Sequence, residues 1–232
     1  MTVRVPPVVG DRDVGIPRIE GSRVDRNGFM SIESLAPGTP VVEAYGHLVA
    51  SLLLGQHGKP PSVMAVVAPQ IGLGTSTTAL NLALMMARTG RSTLLVDANL
   101  RHPGLHKAFG LPQAPGLAEI LAGKCEPKQP VLSTRVRLLS FIPAGQTDAP
   151  AEALMGQPAL KGVLGVLRQA FEVIVIDTPP LLKYPDGLHV AACVDGVLQV
   201  VASHGSSRRD QQQARRLLEM VHAHVLGTVL NR

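Results

Sequence analysis

The chain has 232 residues, 45% of them hydrophobic but only 3% aromatic, with no Trp, so a core of one large domain has to be built from Val, Leu, Ile and Ala. A formal net charge of +5 is compatible with an anionic ligand, an anionic membrane surface or nucleic acid, and selects none of them. Two distant cysteines, Cys125 and Cys193, argue against a disulfide framework or a cysteine zinc site, and no apolar run reaches the ~20 residues of a membrane-spanning helix.

Residues 1–38 are rich in Pro, Gly, Arg and Asp and lack apolar periodicity, which predicts a mobile tail or a strap ahead of a domain over 39–232. The first twenty residues carry Pro6, Pro7, Asp11, Asp13 and Pro17, and show no leader-like apolar stretch. Residues 41–55 place Val41, Ala44, Tyr45, Leu48 and Leu52 at helical spacing, and "QHGKPPS" then breaks the chain.

From there strand and helix signals alternate. Apolar runs predict strands at 62–68, 92–98, 138–144, 172–178, 196–202 and 225–231. Helices are predicted at 76–89 (ended by Gly90), 116–123, 159–171 and 208–224. Short apolar strands separated by helices predict an α/β fold, a doubly wound and mostly parallel sheet with helices on both faces.

Ligands in such sheets bind beyond the C-terminal strand ends. Three segments fall there. The first is "APQIGLGTS", 68–76. A phosphate loop reads G-x-x-x-x-G-K-[ST], in which backbone N–H groups wrap phosphates, Lys holds the β/γ oxygens and the hydroxyl binds Mg²⁺. Here Ala68 takes the first Gly place, Gly74 the second, Thr75 the Lys place and Ser76 the hydroxyl. Gly72, Gly74, Thr75, Ser76 and Thr77 are the candidate nucleotide-binding residues. The second segment is "LLVDANLR", 94–101, in which Asp97 ends an apolar strand as a Mg²⁺ ligand or a turn-capping carboxylate would. The third is "VIVIDTPP", 173–180, in which Asp177 sits as a carboxylate holding Mg²⁺ would, or as a strand-end turn residue before Pro179 and Pro180.

The segments "GLGTSTTALNLA", "LLVDANLRHPGLHKAFGL", "GLAEILAG", "FIPAG", "VIVIDTPPLL" and "VDGVLQVV" resemble the cytoplasmic domain of bacterial tyrosine kinases. These are deviant-Walker P-loop ATPases, related to chromosome-partitioning and septum-placing ATPases. The resemblance spans about residues 39–232. It implies ATP and Mg²⁺ as cofactors, with Asp97 and Asp177 as catalytic carboxylates, Ser76, Asp97 and Asp177 around the metal, and Arg101 near the nucleotide. It also implies work in exopolysaccharide or capsule assembly, in the cytoplasm at the inner face of the membrane. There the partner is the cytoplasmic tail of a membrane chain-length regulator.

The chain departs from that pattern in four places. Thr75 replaces the loop Lys, and Asn99 replaces the second acid of Asp-x-Asp-x-Arg. On the helix that packs subunits into a ring through Glu-x-x-Arg-x-x-Arg, Glu43 remains while Gly46 and Val49 replace both arginines. The C-terminal tyrosine cluster is missing, Tyr45 and Tyr184 being the two tyrosines. A charge-assisted hydrogen bond contributes roughly 1.5–3 kcal/mol, so a lost Lys weakens ATP binding by about ten- to a hundred-fold.

The leading expectation is therefore a degenerate, pseudokinase-like regulatory member, its carboxylates vestigial, forming a dimer or hetero-oligomer. Two alternatives stand beside it: an active kinase or ATPase using Lys107 or Lys183 as a relocated cation, and a partitioning-type protein using Arg208, Arg209, Arg215 and Arg216 on DNA or membrane. For the arginine face a solvated surface or an acidic partner ranks ahead of nucleic acid. His102 and His106 flank Pro103 in a loop and are weak metal candidates, and His222 and His224 suit a helix end or solvent.

Overall fold

The computed structural model describes residues 2–5, 31–34, 38–54, 60–202 and 207–231. An eight-stranded sheet runs in the order β1 (Thr2–Val5), β8 (Val225–Asn231), β7 (Gly196–Ala202), β2 (Val63–Val67), β6 (Val173–Asp177), β3 (Thr93–Asp97), β5 (Leu139–Ile142) and β4 (Leu132–Ser133). Every pairing is parallel except the two-residue β4 against β5.

Five-residue strands with no polar interruption form here because both faces of the sheet are covered. Side chains alternate between two cores. Met64, Val66, Leu95, Phe141, Val175 and Leu198 face α1 (Pro40–Leu54), α2 (Thr75–Arg88) and α3 (Leu105–Phe109). Val63, Ala65, Val67, Leu94, Val96, Ile174 and Ile176 face the other way, toward α4 (Leu117–Leu121), α6 (Gln157–Leu167), α7 (Asp186–Ala191) and α8 (Arg208–Met220), with the short α5 (Ala151–Leu154) packed against α4. The doubly wound expectation holds.

Most predicted elements fall within a few residues of their place. The short α3, α5 and α7 were not predicted. The helix expected over 208–224 ends instead at Met220. Its chain reverses at His222, which adopts φ 54°, and the Ala223 N–H donates back to Leu218 O at 2.9 Å. The strap expectation for 1–38 falls mostly outside the described residues. Within them, Thr2–Val5 pairs with β8, and a 3-10 turn, Ile32–Ser34, rests on α2. The Ile32 N–H donates to Asn81 Oδ1 at 2.9 Å, and Arg88 Nη2 donates to Ile32 O at 3.0 Å.

The sheet's N-terminal edge is closed by a polar latch. Asp195 accepts from the Ser62 N–H at 3.0 Å, the Ser62 hydroxyl at 2.9 Å and the Val63 N–H at 2.8 Å. Arg168 adds a bidentate pair at 2.8 and 3.0 Å. These partners overcome the effect of partial burial and lower the Asp195 carboxyl to about 2.

Candidate functional site

At the opposite edge, β2, β6 and β3 end side by side, and the register sets Asp97 directly across from Asp177. The turn leaving β2 makes two left-handed steps, at Gly72 (φ 80°) and Gly74 (φ 85°), and Gly74 caps α2. That backbone suits glycine, which has no Cβ to clash. The Thr78 N–H is the first to bond back along the helix, to Gly74 O at 2.8 Å. The N–H groups of Thr75, Ser76 and Thr77 precede it and have no intrahelical acceptor, so the N-terminus of this 14-residue helix offers donors and a positive dipole end to an anion.

The Ser76 hydroxyl donates to Asp177 Oδ2 at 2.6 Å. The other oxygen, Asp177 Oδ1, is buried with no hydrogen-bond partner among the described residues. Burial, and then the neighbouring Asp97 charge, push the Asp177 carboxyl well above the usual carboxylate range. Asp97 is likewise fully buried, and its pKa rises to about 6 through burial. Its Oδ1 accepts from the Asn99 N–H at 3.1 Å, and its Oδ2 from the Gly104 and Leu105 N–H groups at 3.3 Å. Asp97 thus caps the turn and the start of α3, the structural role that its sequence position left open. A hydroxyl, an orphaned carboxylate oxygen and a second buried carboxylate fit the oxygen donor set of a hard divalent cation such as Mg²⁺.

Thr75 occupies the first turn, half-buried, and brings a neutral hydroxyl where the phosphate charge would need matching. Arg101 is engaged elsewhere. Its Nε donates to Asp186 Oδ2 at 2.7 Å and its Nη2 to the Glu152 carboxylate, while Cζ lies 4.4 Å from the Tyr184 ring centre. Asn99 closes a local turn, its Oδ1 accepting from the His102 N–H at 3.1 Å.

Of the two relocated-cation candidates, Lys107 lines a cavity of about 250 Å³ with Glu33, Phe109 and Arg135. Lys183 belongs to a segment laid against the start of the loop. The N–H groups of its neighbours Leu181 and Leu182 donate to Ala68 O at 2.9 Å and Pro69 O at 3.2 Å. Its ammonium stands 5.2 Å from the Tyr184 ring centre.

Asn231 was missed by the sequence reading. Its Nδ2 donates to Leu73 O at 3.1 Å, and a Cβ on Gly74 would fall 2.2 Å from that nitrogen. The end of β8 therefore braces the phosphate loop. Asp186 and Glu152 were missed as well; no local pattern ties them to Arg101.

Elsewhere, Val49 is buried in the core between α1 and the sheet, so position 49 faces inward rather than toward a neighbouring subunit. Arg208, Arg209, Arg215 and Arg216 are exposed on α8, with Arg215 paired to Glu219 at 3.0 Å. Among the described residues no cluster of three or more His, Cys, Asp or Glu side chains forms a metal centre, and no helix is long and apolar enough to cross a membrane.

Comparison with known proteins agrees with this geometry. A ParA family profile, described as NUBPL iron-transfer P-loop NTPase, matches residues 60–232. The tyrosine-protein kinase CpsD of Streptococcus agalactiae is 30% identical over 75% of this chain and 77% of its own length. The putative tyrosine-protein kinase EpsB of Ralstonia nicotianae is 28% identical over 94% of this chain, which spans only 29% of that longer relative. Among solved structures, the chimerical protein CapA2B2 superposes with a TM-score of 0.81 at 26% identity, covering 87% of this chain and 88% of its own. A cobyrinic acid a,c-diamide synthase from Mycobacterium smegmatis, solved with a bound ATP analogue and magnesium, gives a TM-score of 0.63 at 25% identity over 72% of this chain and 69% of its own.

Proposed function

We propose a regulatory rather than a catalytic role for this chain, which belongs to the ParA-like P-loop NTPase family and has bacterial tyrosine-protein kinases as its relatives. In this reading it is a pseudokinase of exopolysaccharide or capsule assembly. It works in the cytoplasm at the inner face of the membrane, docked on the cytoplasmic tail of a chain-length regulator, as a dimer or hetero-oligomer. Its buried carboxylates are vestigial.

The observation that carries this reading is Thr75 on the first turn of α2. The backbone cradle from Gly72 to Thr77 survives, and with it a weak affinity for the phosphates of ATP. Ser76 and Asp177, backed by Asp97, retain the donors for Mg²⁺, whose charge would offset part of the phosphate charge. No cation stands in the Lys place, and a missing preorganised donor costs about 10²–10³ in rate. Phosphoryl transfer by this chain is accordingly slow.

Calorimetric titration of ATP, with and without Mg²⁺, on the wild type and Thr75→Lys tests this. The Lys variant is expected to bind about ten- to a hundred-fold more tightly. Tight wild-type binding, with brisk tyrosine phosphorylation abolished in Asp177→Asn, would overturn the proposal.

A second reading, an active enzyme with a relocated cation, draws support from the hydrogen bonds that lay the Lys183 segment against Ala68 and Pro69. It requires nucleotide-dependent activity in the wild type that falls in Lys183→Ala. Unchanged activity in that variant and in Lys107→Ala removes it.

A further inference from the structure

The two tyrosines of the chain sit in opposite surroundings. Tyr45 is 1% exposed between α1 and α2; burial raises its hydroxyl pKa, against hydrogen bonds from Thr78 and Asn81. No phosphoryl donor reaches that hydroxyl while α1 stays packed. Tyr184 lies half-exposed on the segment joining β6 to α7. His102 Nε2 stands 3.3 Å from its hydroxyl. The Arg101 guanidinium lies 4.4 Å and the Lys183 ammonium 5.2 Å from its ring centre. The same segment is hydrogen-bonded to Ala68 and Pro69 at the start of the phosphate loop.

We propose that Tyr184 is a phosphorylation site of this chain, its phosphate received by His102, Lys183 and Arg101. Tyr184 Oη attacks the γ-phosphorus of a nucleoside triphosphate held by a tyrosine kinase. The new O–P bond forms as the bond to the β-phosphate oxygen breaks, the nucleoside diphosphate leaves, and the phenolic proton passes to His102 Nε2, the nearest base to the hydroxyl. The product carries about −1.5 to −2 charges and three strong acceptor oxygens, which a guanidinium, an ammonium and an imidazole suit.

Arg101 links this event to the rest of the site. It is held by two carboxylates of unlike standing: Asp186, whose side chain is 2% exposed, and Glu152, at 55%. A phosphate beside Arg101 competes first with the solvated Glu152, because the buried Asp186 left unpaired would cost far more. Phosphorylation therefore loosens the Glu152 contact while the Asp186 pair holds. The inference stands whether or not the chain's own loop retains ATP.

To test it, the full chain is incubated with Mg-ATP, alone and with a purified active tyrosine kinase domain, and phosphate is located by intact-mass and fragment mass spectrometry. One phosphate on Tyr184 is expected. Labelling should fall at least about tenfold in Tyr184→Phe, which keeps the ring, and match wild type in Tyr45→Phe. His102→Gln should slow labelling of the same tyrosine by about tenfold or more. Tyr184 labelled without added kinase supports this site while overturning the pseudokinase reading; labelling only with added kinase supports both. The proposal fails if Tyr184→Phe labels as the wild type does. It fails equally if wild type stays unlabelled while a tyrosine peptide in the same tube is turned over.

Discussion

The two edges of one sheet treat their carboxylates in opposite ways. At the N-terminal edge, Asp195 accepts from Ser62, Val63 and Arg168, and its pKa falls to about 2. At the C-terminal edge, Asp177 has one oxygen on Ser76 and the other without a partner among the described residues, and burial, followed by the charge of Asp97 across the strand register, raises its pKa. The first carboxylate is a finished structural joint. The second is held in a state that folding alone disfavours, as sites built for a charged ligand are.

Breaking the joint has the largest expected effect on stability. Asp195→Ala unpairs Arg168 and two backbone donors and should cost about 2–3 kcal/mol in chemical denaturation, toward the lower figure because the pair is a third exposed. The sign with pH follows from the lowered pKa: this stabilisation is present above the unfolded value of 3.8 and is lost as pH falls toward about 2. The wild type should lose stability over that acid range, and the variant should lose less.

At the other edge the sign reverses. With folded pKa values raised above 3.8, and Asp97 at about 6, ionising the pair destabilises the native state as pH climbs through that window. Asp177→Asn keeps an acceptor for Ser76 and removes one charge. Its thermal midpoint should exceed that of wild type at about pH 8, with the gap closing at about pH 4. A variant less stable than wild type at both pH values would erase the contrast between the two edges.

The smallest effect sharpens the comparison. Asn231→Ala removes the hydrogen bond to Leu73 O and should cost about 1 kcal/mol. Amide exchange should quicken around Leu73 while protection at Ser62 and Val63 stays unchanged, since the brace serves only the C-terminal edge.

The central strands β2, β3 and β6 were legible because each is a short apolar run covered on both faces, whereas β1 and the two-residue β4 at the sheet margins carry too little apolar pattern to be read. Helices of four to six residues such as α3, α5 and α7 carry too few positions to show a period. The end of α8 was misplaced because "VHAH" contains neither Gly nor Pro; the stop is a positive φ at His222, which residue type does not announce. In the site, Ser76 and Asp177 were legible from loop and strand patterns, and the fold brings them within 2.6 Å. The partners of Arg101 and the brace from Asn231 were not, since each joins segments far apart in the chain that only tertiary closure brings together.

Strand order also bears on how the molecule comes to exist. The strand that feeds the phosphate loop, β2, has both its neighbours late in the chain: Val63 pairs with Ile174, and Met64 with Gly196. Neither pairing is local, and contacts of such separation must meet the entropy of closing long loops before they return any stabilisation. During synthesis the segment from α1 to β3 therefore emerges without the sheet that seats it. The seat of β2 between β6 and β7 is complete only once both strands have left the ribosome.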